Sequence, residues 1–326
     1  MSTRMKDCVE TWRFSFTVPN APRGFTVAVQ SDLQHRINLQ NTLAVAVEAM
    51  YRLTLLPWEG ALRQNYHIRS SDIAEEIFFE PTTPRYAEEQ MENQHMVYAL
   101  FAGCLSLTSH GSDSGYEILA VMNLRGQQLG LLHIWTQRTA ALSEAKYDHI
   151  NGFTQLSNGT VSAASGNVSR SSISILAATS DSGTLQDPDD LDFKIHYQFT
   201  DRPQTRDPRE IFLAALDALA NAAPYDADHR LQKLTGTDAR SARNAVLVVE
   251  GSTRPGPRRH PFTYHFATKT VQLLMQAMTL LNRFQTIQFE LKYQGVRFGE
   301  GFITRPRIFE DETETAGVAR CIRQPC

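Results

Sequence analysis

Five basic side chains lie close together in the segment "GSTRPGPRRHPFTYH" (251–265). They are Arg254, Arg258, Arg259, His260 and His265. Arginine forms paired hydrogen bonds with carboxylates and phosphates, and the free N–H groups at the start of a helix also favour anions. The sequence therefore predicts an anion-binding or partner-docking site here, just before a helix. An ordinary solvent-exposed loop is the alternative interpretation.

The segment "YDADH" (225–229) offers the ligand types of a metal site, but too few of them. Asp226, Asp228 and His229 are present, whereas a hard cation needs several oxygen ligands in a fixed loop. His95 and Cys104 lie on one predicted helix, and two ligands do not make a zinc site. We therefore expect no metal ion and no other cofactor.

No catalytic motif is complete in this chain. The stretch "GSDSG" (111–115) resembles a nucleophile elbow, but Asp113 occupies the position of the serine. Phosphate-loop, dinucleotide-binding and H-E-x-x-H patterns are missing from the sequence. Catalytic groups that are far apart in sequence can still meet in a fold. An enzyme that uses His133, His265, Asp113 or Glu300 between two repeats is therefore the alternative to a binding protein.

The elements that would position these residues occur twice. An alternating strand begins at Phe25 in one half and at Phe193 in the other, and an amphipathic helix follows each strand. "AVEAM" (46–50) corresponds to "ALDAL" (215–219), and the predicted hairpin turns at Gly126 and Gly295 have the same offset of 169 positions (295 minus 126). Two matching offsets indicate an internal duplication.

Each half is predicted to run β-α-β-α-β-β. The strands include "EIFFEP" (76–81) and "AVLVVEG" (245–251), and longer helices are predicted near 86–109 and 263–282. The predicted fold class is α+β, with two tandem divergent repeats that each place two helices on one face of a mixed sheet. The predicted domains are a first repeat at 12–150, a Ser/Gly/Thr-rich linker at 151–190, a second repeat at 191–310 and a tail at 311–326.

The two terminal hairpins differ in the character of their faces. In the second hairpin, Phe289 and Leu291 alternate with Gln288 and Glu290, which predicts one buried and one wet face. In the first, "YEILAVMNL" (116–124) is apolar on both faces. Leu119 and Val121 are therefore a candidate interface, covered by the N-terminal strand "WRFSFTV" (12–18), by the other repeat or by a partner protein.

Composition limits the functional classes. A net charge of −3 and four cysteines in 326 residues argue against a nucleic-acid binder and against a disulfide scaffold. The sequence contains neither a long apolar stretch nor a signal-peptide pattern, so we expect an intracellular protein without membrane insertion.

These patterns together favour a non-catalytic binding or interaction protein. The duplicated module is expected to recognise a protein partner or a small ligand, either at the groove between the repeats or at a sheet face. The alternatives are an enzyme of unknown class with its active site between the repeats, and a self-assembling structural subunit.

Overall fold

The structure is a computed structural model that describes residues 11–16, 20–70, 73–82, 89–109, 114–136, 166–168, 174–178, 181–200, 207–238, 240, 245–252 and 261–305. The helices in these residues are α1 (Leu39–Thr54), α2 (Asn93–Thr108), α3 (Pro208–Ala222) and α4 (Tyr264–Leu280). The strands of the first half are β1 (Thr11–Phe16), β2 (Phe25–Asn38), β3 (Tyr66–Ser70), β4 (Ile73–Pro81), β5 (Ser114–Leu124) and β6 (Gln127–Thr136). The later strands are β7 (Gly166–Val168), β8 (Ser174–Ala178), β9 (Ser182–Gln186), β10 (Phe193–Phe199), β11 (Lys233–Thr237), β12 (Val246–Gly251), β13 (Ile287–Tyr293) and β14 (Val296–Thr304).

The strands form two seven-stranded sheets. Sheet 1 has the order β1-β2-β5-β6-β4-β3-β7, and sheet 2 has the order β11-β12-β14-β13-β10-β9-β8. The β3–β7 pair is parallel, and the other neighbouring pairs are antiparallel. When β1–β6 are matched in chain order with β9–β14, these strands have the same spatial order in both sheets.

The structure corrects the predicted arrangement of strands. A hairpin, β3–β4 or β11–β12, stands between the two helices of each half where a single strand was predicted. A hairpin returns the chain antiparallel to itself, whereas a parallel pair requires a long crossover. The sheets are therefore antiparallel except at β7, and not mixed as predicted. Strands β3 and β11 are short and contain polar residues, so their sequences do not show a clear strand pattern.

The four helices lie between the two sheets. Helices α1 and α2 pack on sheet 1, α3 and α4 pack on sheet 2, and α1 also contacts both α3 and α4. Buried apolar side chains of both halves form one hydrophobic core. Since the helices fill the middle layer, each sheet turns its other face, called its outer face here, away from the helices.

Local sequence explains where the helices begin. The Asp207 side chain accepts the N–H of Arg209 at 3.0 Å, and Pro208 occupies the first helical position. The carboxylate of Glu210 in the first turn of α3 accepts a hydrogen bond from Arg305 Nε at 3.0 Å. Helix α2 begins at Asn93, later than predicted, where His95 Nδ1 accepts the N–H of Glu92.

Both terminal hairpins turn as predicted. Arg125 and Gly126 have φ values of 52° and 85°, and Gln294 and Gly295 have φ values of 49° and 78°. Two consecutive positive φ values are typical of the tight turns that match the twist of a hairpin. Each turn therefore fixes the register of the strands on either side of it.

Part of the predicted linker (151–190) forms strands. Strand β7 joins the edge of sheet 1, while β8 and β9 extend sheet 2 beyond β10. Residues 151–165 and the predicted tail 311–326 lie outside the described residues. No helix in the described part of the chain is long and apolar enough to span a membrane.

Gly236 allows helix α3 to approach the edge strand β11 closely. A Cβ atom at this position would lie 2.0 Å from the carbonyl oxygen of Ala214 and 2.5 Å from the nitrogen of Ala218, both in the backbone of α3. We expect Gly236→Ala to lower the free energy of unfolding by about 3 kcal/mol, measured by urea denaturation. The control is Gly126→Ala, where nothing lies within 4 Å and only the positive φ opposes a side chain, at a cost of about 1 kcal/mol. Equal losses in the two variants would show that close packing is not the cause.

Candidate functional site

A cavity of about 690 Å³ opens on the outer face of sheet 2. We call this area the concave face. It is lined by Ser182, Gly183, Thr184, His196, Tyr197, Gln198, Val248, Glu250, Gln288, Phe289, Glu290, Glu300, Gly301 and Phe302. These residues come from five neighbouring strands, β9, β10, β13, β14 and β12, so the sheet itself forms the floor of the cavity.

Strict alternation along the strands makes this face polar. In β10, the apolar residues Phe193, Ile195, Tyr197 and Phe199 are buried. His196 and Gln198 alternate with them and point to the outer face. Strand β13 has the same pattern, so the predicted wet face of the second hairpin is confirmed.

A row of five polar residues crosses the strands of the concave face. In order, it contains Thr184, His196, Glu290, Glu300 and Glu250, and each residue is paired directly with the next on the neighbouring strand. Neighbouring strands lie about 4.8 Å apart, so the three carboxylates fall within about 10 Å. Since like charges directly opposite one another destabilise a sheet, this row requires nearby cations.

Two basic residues supply those cations from beside the cavity. Arg297 Nη1 lies 3.0 Å from Glu290 Oε1, and the same guanidinium also bonds Glu300. Lys233 Nζ lies 2.7 Å from Glu250 Oε1. All three carboxylates therefore have a cationic partner, and the bridge by Arg297 holds two of them in fixed positions.

His196 adds a neutral hydrogen-bonding group to the row. Its Nδ1 lies 2.8 Å from Thr184 Oγ1. Burial, together with the charges of Lys292 and Lys194, lowers the pKa of His196 below its usual value, although Glu290 opposes this shift. The imidazole is therefore neutral at pH 7 and presents one donor and one acceptor nitrogen.

A second row beside the first is partly apolar. Gln198, Gln288, Phe302 and Val248 are paired in this order on β10, β13, β14 and β12. Phe302 is 37% exposed, whereas its neighbour Val248 is only 4% exposed. The concave face thus combines a row of carboxylates with an exposed aromatic ring and two amide side chains.

The structure describes one member of the predicted basic cluster. Arg254, Arg258, Arg259 and His260 lie outside the described residues. His265 lies in the first turn of α4, where its backbone N–H donates to the carbonyl of Ala227 at 2.8 Å. The N–H of Tyr264 donates to His229 O at 3.1 Å. Two donors at this helix start are therefore already bonded within the protein, and the anion site stays a prediction.

Leu119 and Val121 lie on the outer face of sheet 1 and are partly exposed. Strand β1, one of the predicted covers, pairs with β2 at the edge and so extends the sheet. The other half of the chain, a second predicted cover, meets sheet 1 through the helices on the opposite face. The assignment of these two residues to an interface stays a prediction.

The rest of this outer face carries a buried polar and aromatic cluster. Glu76 is 1% exposed and lies 2.8 Å from both His67 Nδ1 and Arg69 Nε. Burial would raise the pKa of Glu76, but these two partners outweigh it and hold the pKa below its usual value. His133 lies beside Trp135 and Phe78, with ring centroids 4.7 and 5.5 Å away, and burial lowers its pKa to about 4.

The residues of the enzyme alternative do not come together. His133 is on the outer face of sheet 1, Glu300 is on the outer face of sheet 2, and the four helices lie between them. His265 is at the start of α4, and Asp113 lies outside the described residues. His133, His265 and Glu300 therefore lie apart, and the enzyme alternative stays a prediction.

A small crevice lies at the boundary between the two halves. It has a volume of about 40 Å³ between α1, α4 and strands β3 and β4. Gln272 and Gln276 of α4 donate to Glu48 of α1 at 2.6 and 3.2 Å across this boundary. Such a volume holds about one water molecule, far less than a typical ligand requires.

The described residues contain no group of three or more His, Cys, Asp or Glu side chains that could hold a metal ion. Cys104 is fully buried, and burial raises the pKa of its thiol to about 12, so it is not a reactive nucleophile.

Sequence reasoning identified only part of the concave face. It placed Glu290 on a wet face and named Glu300, but it missed His196, Glu250, Thr184 and Phe302. Each of these residues occupies an outward position in an alternating strand, which is a signal in the sequence. Their cross-strand register, which makes them neighbours, is not visible in that pattern.

Comparison with known proteins adds no functional assignment, because no family model, curated protein or solved structure matches this chain.

Proposed function

We propose that this is a binding protein that recognises its ligand on the concave face. The observation that carries the proposal is the contrast between two volumes: about 690 Å³ on the outer face of sheet 2 and about 40 Å³ between the helix pairs. Ligand cavities usually have volumes of about 300–1,000 Å³. Of the two places predicted from sequence, the sheet face has a volume in this range, whereas the crevice between α1, α4, β3 and β4 is too small for a ligand.

The side chains of the concave face favour binding over catalysis. Thr184 and His196 could form a nucleophile–base pair, but such a pair needs a third group to orient the base. Within the described residues, no hydrogen bond joins the His196 ring to a carboxylate. The carboxylates at 290 and 300 are about half exposed and bridged by Arg297, an environment typical of ion-paired binding residues.

We also infer that the two halves are divergent copies of one ancestral module. Three observations support this inference: the shared strand order, the positive φ values at equivalent turns, and the equal spacing of elements. Helices α1 and α3 begin at Leu39 and Pro208, which are 169 positions apart (208 minus 39), as are Gly126 and Gly295. In this interpretation, one copy has kept an open outer face for binding.

A fragment screen tests the proposed site without a known ligand. Ligand-observed NMR would be recorded with a diverse library of small polar and aromatic fragments on the wild-type protein and on Gln288→Trp, which places a bulky ring in the cavity. We expect most of the fragments that bind the wild type to lose binding in this variant.

The matched control for this screen is Gln128→Trp, since Gln128 is also an exposed glutamine in a strand but belongs to sheet 1. It should leave the set of bound fragments unchanged. If Gln288→Trp binds the same fragments as the wild type, the concave face is not the binding site.

A further inference from the structure

The concave face has the layout of a shallow trough that crosses the strands. Its floor extends over β10, β13, β14 and β12, about 14 Å from the first to the last of these strands. One side of the trough carries Glu290, Glu300 and Glu250, and the other carries Gln288 and Phe302. A ligand in the trough would therefore meet hydrogen-bond acceptors along one edge and an aromatic surface along the other.

The acceptors on this face are already neutralised by the protein. Arg297 bonds one oxygen of Glu290 and one of Glu300, and Lys233 bonds one oxygen of Glu250. Within the described residues, the second oxygen of each carboxylate accepts no hydrogen bond. An ionised carboxylate accepts several hydrogen bonds, so each group can still accept from a hydroxyl.

This pairing argues against strongly charged ligands. A cationic ligand would have to compete with Arg297 and Lys233, and an anionic ligand would face three carboxylates. A neutral ligand with many hydroxyl groups can use the remaining acceptor positions and displaces neither cation. The neutral imidazole of His196 and the amides of Gln198 and Gln288 add both donors and acceptors for the same hydroxyls.

Phe302 supplies the apolar contact that such a ligand needs. Its ring is partly exposed and lies beside the outward-facing but buried Val248. The C–H groups on one face of a sugar ring can pack on an aromatic ring, while its hydroxyls point sideways to polar neighbours. The arrangement of Phe302 next to the carboxylate row matches both requirements at once.

We propose that the ligand of the concave face is a neutral oligosaccharide that lies across strands β10, β13, β14 and β12. This inference rests on the proposed binding function and specifies its ligand class. The carboxylate row accepts hydrogen bonds from the sugar hydroxyls, Arg297 holds the carboxylates in position, and Phe302 packs against a sugar ring.

Isothermal titration calorimetry with the full chain tests this proposal. The probes are neutral oligosaccharides of glucose, xylose, mannose and galactose, with spermine and an arginine-rich peptide as cationic comparisons. We expect at least one neutral oligosaccharide to bind. Phe302→Ala should weaken that binding about tenfold, the effect of roughly 1.4 kcal/mol. Glu290→Gln should weaken it several-fold, because the amide keeps only one acceptor oxygen.

Two further variants keep the test interpretable. Phe302→Leu still covers Val248 but lacks a ring, so it should also weaken binding if Phe302→Ala fails to fold. Glu59→Gln changes an exposed glutamate in the turn after α1 and should leave the affinity unchanged.

The possible outcomes separate the ligand class from the site. If only spermine or the basic peptide binds, and Glu290→Gln weakens that binding, the neutral-sugar proposal is wrong and the binding site stands. Sugar binding that none of the concave-face variants alters would overturn both proposals. If no probe binds, the ligand class is wrong, and the fragment screen decides the site.

Discussion

Lys269→Met is expected to lower the free energy of unfolding by about 3–5 kcal/mol. Lys269 is only 5% exposed, and its ammonium lies 3.1 Å from Asp187 Oδ1 and 2.8 Å from Asp189 Oδ2. Asp187 is also buried, so removal of the ammonium leaves a buried carboxylate without its cation. Methionine retains most of the volume of the lysine stem, which separates the lost charge from a packing defect.

This ion pair joins parts of the chain that are far apart in sequence. Lys269 belongs to α4, its acidic partners lie between β9 and β10, and its ammonium lies 5.5 Å from the ring centroid of Tyr51 in α1. Burial would lower the pKa of Lys269, but Asp189, Tyr51 and Asp187 together raise it above its usual value. The lysine therefore stays charged, and its loss is expected to weaken the contact between the two halves.

Urea denaturation at pH 7 of three variants tests this expectation. Asp189 is 70% exposed, so Asp189→Asn should cost less than about 1 kcal/mol. The double variant Lys269→Met with Asp187→Asn should recover part of the loss, because no unpaired charge stays buried. If Lys269→Met costs no more than Asp189→Asn, the buried pair does not stabilise the fold.

Lowering the pH from 6.5 to 4 is expected to cost at least about 3 kcal/mol of unfolding free energy. Burial lowers the pKa of His95 and of His133 from 6.5 to about 4. In this range the unfolded chain takes up protons at these positions and the folded protein does not, so stability is present above pH 6.5 and falls as the pH decreases. The difference between the pKa of 6.5 in the unfolded chain and about 4 in the folded protein corresponds to roughly 3 kcal/mol of unfolding free energy for each histidine.

Other groups act in different pH windows or in the opposite direction. The pKa of Glu76 lies below its usual value of 4.5, so the stability that it contributes starts to fall as the pH drops below 4.5. Burial raises the pKa values of Glu80 and Asp217, which partly offsets the effect of the histidines. We therefore expect a net loss that is smaller than the sum of the two histidine contributions.

His95→Gln separates titration from structure at this position. His95 is 2% exposed, its ring stacks on Phe25 with centroids 5.2 Å apart, and its Nδ1 accepts the N–H of Glu92. Glutamine at the same position can keep that cap without titrating. Between pH 6.5 and 4, the unfolding free energy of His95→Gln should therefore decrease by about 3 kcal/mol less than that of the wild type.

Chemical denaturation at several pH values measures this difference. The control His35→Gln removes a histidine whose side chain is 42% exposed, so it separates the loss of any imidazole from the loss of a buried one. If the unfolding free energy of His95→Gln depends on pH as that of the wild type does, the buried imidazole does not resist protonation.

Part of the concave face could be predicted from the sequence. The alternation of Phe289 and Leu291 with Gln288 and Glu290 is enough to indicate an exposed face. The pairing of Glu290 with Glu300 and of Glu300 with Glu250 depends on hydrogen bonds between strands that are distant in sequence. No local pattern encodes this register, so the sequence did not indicate a carboxylate row.

Residue types that are easy to recognise in the sequence do not by themselves show which contacts their side chains make. The cluster around Arg258 is easy to recognise because its charges are adjacent in sequence, yet most of it lies outside the described residues. The sequence places His95 on a helix without indicating a role for its side chain, whereas in the structure its Nδ1 caps α2. A residue type alone does not indicate which of several partners its side chain meets.

The sequence by itself determined the four helices and the longer strands, together with the buried face of the alternating strands such as β10 and β13. Periods of two and of 3.6 residues decide those features locally, and glycines at 126 and 295 decide the turns, because few other residues tolerate positive φ. The tertiary structure alone decided that four helices fill the space between two antiparallel sheets and that a cavity opens on one outer face. Those features depend on contacts between segments that are distant in sequence. Burial of apolar surface stabilises these contacts only when the whole chain has folded, so no local pattern reveals them.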